Sequence, residues 1–407
     1  MKTPTGNREL FRSLFRFPKR DVFDCVPLHY LILKMSGMGC ITPKAGVRNG
    51  STITTLLDVA IFVANLALAV SMMVYGTFVE ERNSQSPIMY IGVKMVNFTC
   101  YASTIYGLIS CFVNRHEIWK FYNEAYTIDA MLAALGDRTN FNHSFALFLA
   151  YYSVSMAACC LLIGVLYRET VSWMLLLNLG YSYFCLTTFH IVSLTCLDVV
   201  WVRNLRLNRV FRRQFSLEGG VGETASLSVH GPNQAVVLRQ IMQIFDLISD
   251  LADKGSFYYG VQIMVSIAGS FVYLLFYTFA FTLVVRSVLP FESVLDAGPI
   301  MSYLMFAYNV FVVAFFGNAL KQQLSCSHFI MCPCSACVVF GLVPACGCHW
   351  VTMFLLRLFL MQLGHRSPMI TCGLFPFDWT LIFSILSTAA TYIIILLQFE
   401  SAGSSSG

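Results

Sequence analysis

The chain has 407 residues, of which 57% are apolar and only 12% charged, with a formal net charge of +5. At a mean hydropathy of +0.68, a water-facing surface cannot be assembled from it in the usual way. This excludes a soluble globular protein and identifies a multi-pass membrane protein for which no nucleic-acid partner is expected.

The first residues are basic, and the first run long enough to span begins near Thr54. No cleavable signal peptide is therefore expected, and insertion uses an internal anchor. Before that run, Val26 to Ile41 is apolar but contains Pro27, Lys34, Gly37 and Gly39. It reads as an interfacial or re-entrant segment against the inner leaflet, within a cytoplasmic N-terminal segment covering 1–53.

A span needs about 20 mainly apolar residues. Seven runs qualify, at 54–76, 88–113, 144–167, 172–200, 258–285, 298–320 and 377–399. The fold class is an all-α integral membrane protein with seven transmembrane helices. Lys and Arg concentrate in alternate loops: 1–53 carries nine, 114–143 three, 201–257 seven and 321–376 three, whereas the other loops hold only Arg82, Arg168 and Arg286. This asymmetry predicts a cytoplasmic N-terminus. Seven spans then place the C-terminus outside, the reverse of a G-protein-coupled receptor. The third span also lacks a closing acidic-Arg-Tyr triplet, and the seventh has no NPxxY. None of the 15 cysteines falls in a predicted outer loop, which excludes an outer disulfide.

Within the spans, Lys94 lies six residues into its helix, about 9 Å deep at the usual rise, and is expected to snorkel to the outer interface. His190 has no second ligand at i+4 and reads as a hydrogen-bonded interior histidine. Asp58 and Asp198 sit close to inner interfaces and need no special role. The long cytoplasmic loop 201–257 opens with RNLRLNRVFRRQF, Arg203 to Phe215, followed by a loop and a second helical pattern, Val236 to Lys254. Its five arginines at helical spacing fit anionic lipid, a partner, or a solvated extension of the fourth span, the last being the reading that charge near a span favours.

The segment 321–376 is cysteine-rich at 325–350, where Cys326, Cys332, Cys334, Cys337, Cys346 and Cys348 occur without a charged residue between Lys321 and Arg357. Zinc ligation is disfavoured because the Cys346-Gly-Cys348 unit is too tight. Palmitoylation, an incorrectly translated or spliced stretch, and an extra span through Val338 to Leu355 are the other readings. No metal or cofactor is expected.

The last run, 377–399, places Ser384, Ser387, Thr388, Thr391, Ile395 and Gln398 three or four positions apart, so they form a stripe on one helix face. On residue chemistry alone this stripe fits a pore wall or close-packing contacts between helices. SAGSSSG after it reads as a disordered outer tail over 400–407. The run closes in TYIIILLQF, Thr391 to Phe399, preceded by HRSPMITCGLFPFDWTLIFSI.

This ending resembles the C-terminal signature of insect gustatory receptors, written TY, five apolar residues, QF. The resemblance implies a ligand-gated, non-selective cation channel in the cell membrane, at the dendrite of gustatory neurons, opened by a small tastant. It also implies a homotetramer or heterotetramer with related subunits, four-fold around a central pore, in which 321–376 contributes to a cytosolic anchor. Thr391, Ile394, Ile395, Gln398 and Phe399 are then pore-lining or gate residues, with Gln398 offering amide oxygens to a cation and Phe399 or Ile395 narrowing the closed path. Glu400 reads either as a negative ring or as a solvated terminal charge. Some sugar-receptor branches place an acidic residue after the Thr-Tyr pair, where this chain has Ile393, which disfavours a sweet tastant. The ligand is expected among the outer halves of spans two to six, where Tyr90, Lys94, Asn97, Trp173, Asn178, Tyr181, Tyr273, Tyr277 and Tyr303 are the candidate lining groups. The alternative is a metabotropic seven-helix chemosensory receptor. A multi-pass enzyme is disfavoured because His190, His349 and His365 have no close acidic partner, and the spans show no inverted repeat of a transporter.

Overall fold

The computed structural model describes residues 30–39, 42–43, 52–75, 87–137, 141–168, 173–214, 217–218, 226–227, 234–286, most of 303–322, part of 354–362, and 379–404. These residues build α1 (Leu56–Val74), α2 (Pro87–Val113), α3 (Arg115–Ala134), α4 (Asn142–Arg168), α5 (Trp173–Gln214), α6 (Gln234–Val285), α7 (Phe306–Ala319) and α8 (Trp379–Ser404). Two short antiparallel hairpins pair Thr42–Pro43 with Thr52–Ile53 and Leu217–Glu218 with Ser226–Leu227. By length and composition Leu56–Val74, Tyr90–Val113, Ala235–Val285 and Trp379–Phe399 can each cross a membrane, and Ser144–Ala157 and Phe306–Ala319 are shorter apolar helices.

α1 begins at a capping box. Thr55 Oγ1 accepts from the Asp58 N–H at 3.2 Å, while Asp58 Oδ2 accepts from the Thr55 N–H at 2.9 Å. The same carboxylate meets Lys34 Nζ at 2.9 Å. Lys34 sits on a short helical turn over 30–35 and also donates to the Tyr30 hydroxyl at 3.2 Å. Burial opposes the Lys34 charge, yet the bond to Asp58 and the Tyr30 phenol outweigh it and hold the ammonium above its ordinary pKa. Gly37 ends this turn at φ 76°, where a Cβ would lie 2.9 Å from Asn65 Cβ on α1. Tyr30, Ile32 and Met38 are buried. The segment expected to lie on the leaflet is thus covered by the bundle on its apolar side.

α6 is the spine of the fold, packing on α2, α3, α5 and α8. With 42 and 52 residues, α5 and α6 are about 63 and 78 Å long at 1.5 Å per residue, against a hydrocarbon core of roughly 30 Å. Both therefore project beyond a bilayer as unbroken helices. The projecting part of α6 buries Leu238, Ile241, Ile244, Ile248 and Leu251 completely, a three-or-four spacing that puts all five on one face. Burying each such side chain stabilises by about 1.5–3 kcal/mol. That face meets α3, whose buried residues Trp119, Tyr122, Ala125, Ile128 and Leu132 repeat with the same period. The predicted inner loop 114–143 thus contains a 20-residue packed helix.

The arginine segment departs from expectation. Arg203 and Arg206 are buried at 1% and 2% exposure, whereas Arg209, Arg212 and Arg213 are exposed. The solvated-extension reading therefore fails for the first two, because α3 and the 137 turn supply carboxylates that a sequence pattern cannot reveal. At the C-terminus α8 continues to Ser404 rather than fraying at 399, and the Ser401 hydroxyl donates to the Gln398 carbonyl at 2.9 Å. The cysteine-rich stretch 325–350 lies outside the described residues.

Candidate functional site

Three regions bear on function, and the first is α8. Its inner face carries Leu381, with Ile385 packed beside it against the main core. Among the described residues of α8 only Leu381 is buried. At 100° per residue, Ser387 stands about 200° round the helix from Ile385. Ser384, Ser387, Thr388, Thr391, Ile394, Ile395, Gln398 and Phe399 are all exposed in a single chain, as are Phe383, Leu386 and Tyr392 elsewhere round the helix. The Ser384 and Thr391 hydroxyls donate back to the Thr380 and Ser387 carbonyls at 2.8 and 3.1 Å. The stripe read from the sequence is thus exposed together with most of α8, which packs on the bundle mainly through Leu381 and Ile385. The Glu400 side chain lies outside the described residues.

The second region is aromatic. Tyr273 and Tyr277, one turn apart on α6, stack at 6.3 Å, Tyr277 meets Tyr303 at 4.9 Å, and Tyr273 meets Phe306 at 4.6 Å. The structure thus brings together three of the nine ligand candidates. On α2, Lys94 Nζ sits 5.5 Å from the Tyr90 ring, directed one turn toward the helix start. This is the direction expected of snorkelling toward the outer end. Between these residues Gly92 lets α2 approach α6 so closely that a Cβ would lie 2.3 Å from Phe276 Cδ1. Asn97 is half-buried. Tyr181 turns to α1 instead, its hydroxyl within 2.9 Å of the Asn65 carbonyl and 3.1 Å of Asn65 Oδ1. The side chains of Trp173, Asn178 and His190 lie outside the described residues.

The third region is a cavity of about 480 Å³ between α4, α5 and α7. None of the nine candidates lines it. Rings make up much of its walls, among them Phe148 and Tyr151 of α4 and Tyr308, Phe311 and Phe316 of α7, with Thr195, Asp198 and Trp201 of α5 along one side. Tyr151 and Tyr308 stack across it at 5.5 Å, and Trp201 meets Phe316 edge-on at 6.0 Å. Asp198, which needed no role from the sequence, is a wall residue. The missed signal was the series Ile191, Thr195, Asp198 and Val202, an otherwise uncharged helical stripe that carries a carboxylate.

Arg203 closes the cavity's end and joins it to an ion-pair cluster. Its Nε donates to the Ala125 carbonyl at 3.0 Å, Nη1 to the Val199 carbonyl at 2.7 Å and Nη2 to Asp129 at 2.5 Å. Arg206 reaches the other Asp129 oxygen at 2.6 Å and Asp137 Oδ2 at 2.8 Å. Lys254 of α6 pairs with Glu124 of α3 on the same side of the bundle. Nearby burial pushes the Tyr122 phenol well up. The cluster fastens α3 to the projecting part of α5. Among the described residues no group of three or more His, Cys, Asp or Glu forms a metal cradle.

These features describe an all-helical membrane protein with several apolar spans and ring-lined internal space. Over residues 26–403 the chain matches the 7tm chemosensory receptor family, and it belongs to that family. It is similar to the putative gustatory receptor 28a of Drosophila melanogaster, with 28% identity over 174 residues, 41% of this chain. That match spans 36% of the relative's length. In fold it is similar to the insect olfactory receptor OR5 from Machilis hrabei, at a TM-score of 0.64 and 13% identity, covering 92% of this chain and 97% of that one. The structure of OR5 in complex with eugenol gives a TM-score of 0.62 at 12% identity over the same shares.

Proposed function

We propose that this chain is a gustatory-receptor-like subunit of a ligand-gated, non-selective cation channel, opened by a small tastant in the outer half of the bundle. It spans the membrane seven times with a cytoplasmic N-terminus, and copies of α8 from four subunits line the pore. The observation that carries this reading is the exposure of the α8 stripe. An amide such as Gln398, at the outer end of the span, takes its partners from water or another polar group, and left unsatisfied in hydrocarbon it would cost several kcal/mol. Hydroxyls can bond back to their own helix, as Ser384 and Thr391 do, but an amide needs water or another polar group. Four copies arranged about an aqueous axis supply both, with Ile394, Ile395 and Phe399 as the apolar constriction.

The ligand reading rests on the Tyr273, Tyr277 and Tyr303 cluster, with Tyr90 and Lys94 on the neighbouring α2. Rings and hydroxyls together suit a small, partly apolar organic molecule. The likeness to a gustatory receptor and to a receptor solved with eugenol supports a ligand of that size. Subunits operate in the plasma membrane of a sensory neuron, as homotetramers or with a related subunit.

Whole-cell recording of ligand-evoked current tests the pore. Gln398→Glu is expected to raise Ca²⁺ permeability relative to Na⁺ and shift the reversal potential, and Gln398→Ala to shift it the other way, with half-activating concentration unchanged. An unchanged reversal potential in both variants would remove α8 from the pore. An epitope placed after Gly407 should stain intact cells, and staining only after permeabilisation would favour the metabotropic layout.

A further inference from the structure

We propose that the cavity between α4, α5 and α7 is a second ligand site, separate from the tyrosine cluster, which takes a lipophilic amine in its protonated form from the membrane. Its volume of about 480 Å³ falls in the range of small-molecule pockets, about 300–1,000 Å³. The wall is built for an apolar body: Phe148, Tyr151, Tyr308, Phe311 and Phe316 present rings from two helices.

Beside Ser144, the Trp201 Nε1–H and the hydroxyls of Tyr122, Tyr151 and Tyr308, the lining holds two charged groups and Thr195, and the charged groups select the head group. Asp198 is the anionic residue of the lining. Arg203, the cation of the lining, already directs its donors to Ala125, Val199 and Asp129. Thr195 donates its hydroxyl to the Ile191 carbonyl at 2.7 Å and so offers only an acceptor to the cavity. A carboxylate and a hydroxyl oxygen one turn apart on α5, surrounded by aromatic faces, match an ammonium group. Cations are attracted to such faces by the ring quadrupole, most strongly where water is excluded, and a carboxylate accepts more than one donor.

Depth fits the same class. The fourth apolar run ends near residue 200, which places Asp198 at the level of the membrane interface. From there the cavity runs back along α5 to Ile191, about 10 Å at 1.5 Å per residue. An amphiphile partitions with its charged head at the interface and its tail in hydrocarbon, so it arrives already aligned. Val154 and Phe311 on the cavity's rim are 59% and 50% exposed, giving a lateral entrance between α4 and α7. Because Arg203 both closes the cavity and holds α3, an occupant bears on the joint between α3 and α5. The proposal does not depend on the pore assignment.

The test uses the full-length protein in nanodiscs with a diazirine-bearing dodecyl dimethylamine as the photoprobe. The expected result is labelling of α4 and α7 within 144–157 and 306–319, competed by dodecyl dimethylamine at least tenfold better than by dodecanol. Asp198→Asn should weaken that competition at least tenfold. Val154→Trp, a change at an exposed rim position that leaves the core packing intact, should abolish labelling through blockage of the entrance. Labelling spread evenly over the lipid-facing helices would overturn the site. Equal competition by dodecanol, or wild-type competition in a monodisperse Asp198→Asn protein, would overturn the amine assignment.

Discussion

Asp129 is the carboxylate on which the junction between α3 and α5 turns, and Asp129→Asn tests that role. One Asp129 oxygen accepts from Arg203 Nη2 at 2.5 Å and the other from Arg206 Nη1 at 2.6 Å, with Arg203 and Arg206 at 1% and 2% side-chain exposure. The amide replacement keeps the shape but presents an NH₂ group to one of the guanidinium groups and removes the negative charge from both. Hydrogen bonds to charged groups contribute about 1.5–3 kcal/mol each, and breaking a buried ion pair from one side costs about 3–5 kcal/mol. The two routes agree on about 3–5 kcal/mol. Asp137→Asn is the internal comparison. Arg206 keeps its bond to the Asp137 backbone carbonyl at 2.9 Å, while Arg209 and Arg213 lie 3.7 Å from the carboxylate and are 44% and 60% exposed, so the loss should be about half as large. Detergent-solubilised protein heated before size-exclusion chromatography reads the effect as the temperature at which the monodisperse peak is half lost. Asp129→Asn is expected to lower it by roughly 4–6 °C, more than Asp137→Asn. A change within about 2 °C for Asp129→Asn, or a larger loss for Asp137→Asn, would refute the reasoning and mean that the cluster is hydrated.

Gly92→Val should cost about 1–3 kcal/mol by overpacking, because Phe276 Cδ1 occupies the place of its Cβ. The same thermal assay reads it, and Gly92→Val combined with Phe276→Ala should recover part of the loss. Tyr181→Phe removes the hydroxyl's bonds to Asn65 and Cys185 and should cost about 0.5–1.5 kcal/mol with ligand response unchanged, whereas a lost response would assign Tyr181 to the ligand. Lys34→Met takes the ammonium from Asp58, which keeps its bonds to the Thr55 N–H and hydroxyl, and should cost about 1.5–3 kcal/mol. The folded Lys34 pKa is raised, so its contribution is complete below the unfolded pKa and is lost only as pH rises through the folded one. The Lys34→Met penalty should therefore be equal at about pH 6 and about pH 9, and a penalty confined to one of them would contradict the pair.

Much of the architecture was legible along the chain because it is carried by local periodicity. The apolar runs lie where α1, α2, α4, α5, α6, α7 and α8 form, since a membrane helix satisfies its own backbone and needs only length and composition. The α8 stripe was legible for the same reason, as positions three and four apart share a face whatever surrounds them. The packed face of α3 was also present as Trp119, Tyr122, Ala125, Ile128 and Leu132, but its low apolar content made it read as loop.

The ligand candidates were less legible. Tyr273, Tyr277 and Tyr303 are brought together, yet Tyr181 faces α1, because an aromatic residue on a span carries no mark of the neighbour it will meet. The sequence by itself determined a multi-pass helical membrane protein with an unusual last helix, since composition and helical period are properties of single segments. Only the tertiary structure decided that Arg203 and Arg206 are buried rather than solvated, and that Asp198 stands in a ring-lined cavity. Those outcomes depend on partners 69 to 78 residues away in the chain and on three helices meeting at one level, and the energy of a charge is set by what surrounds it.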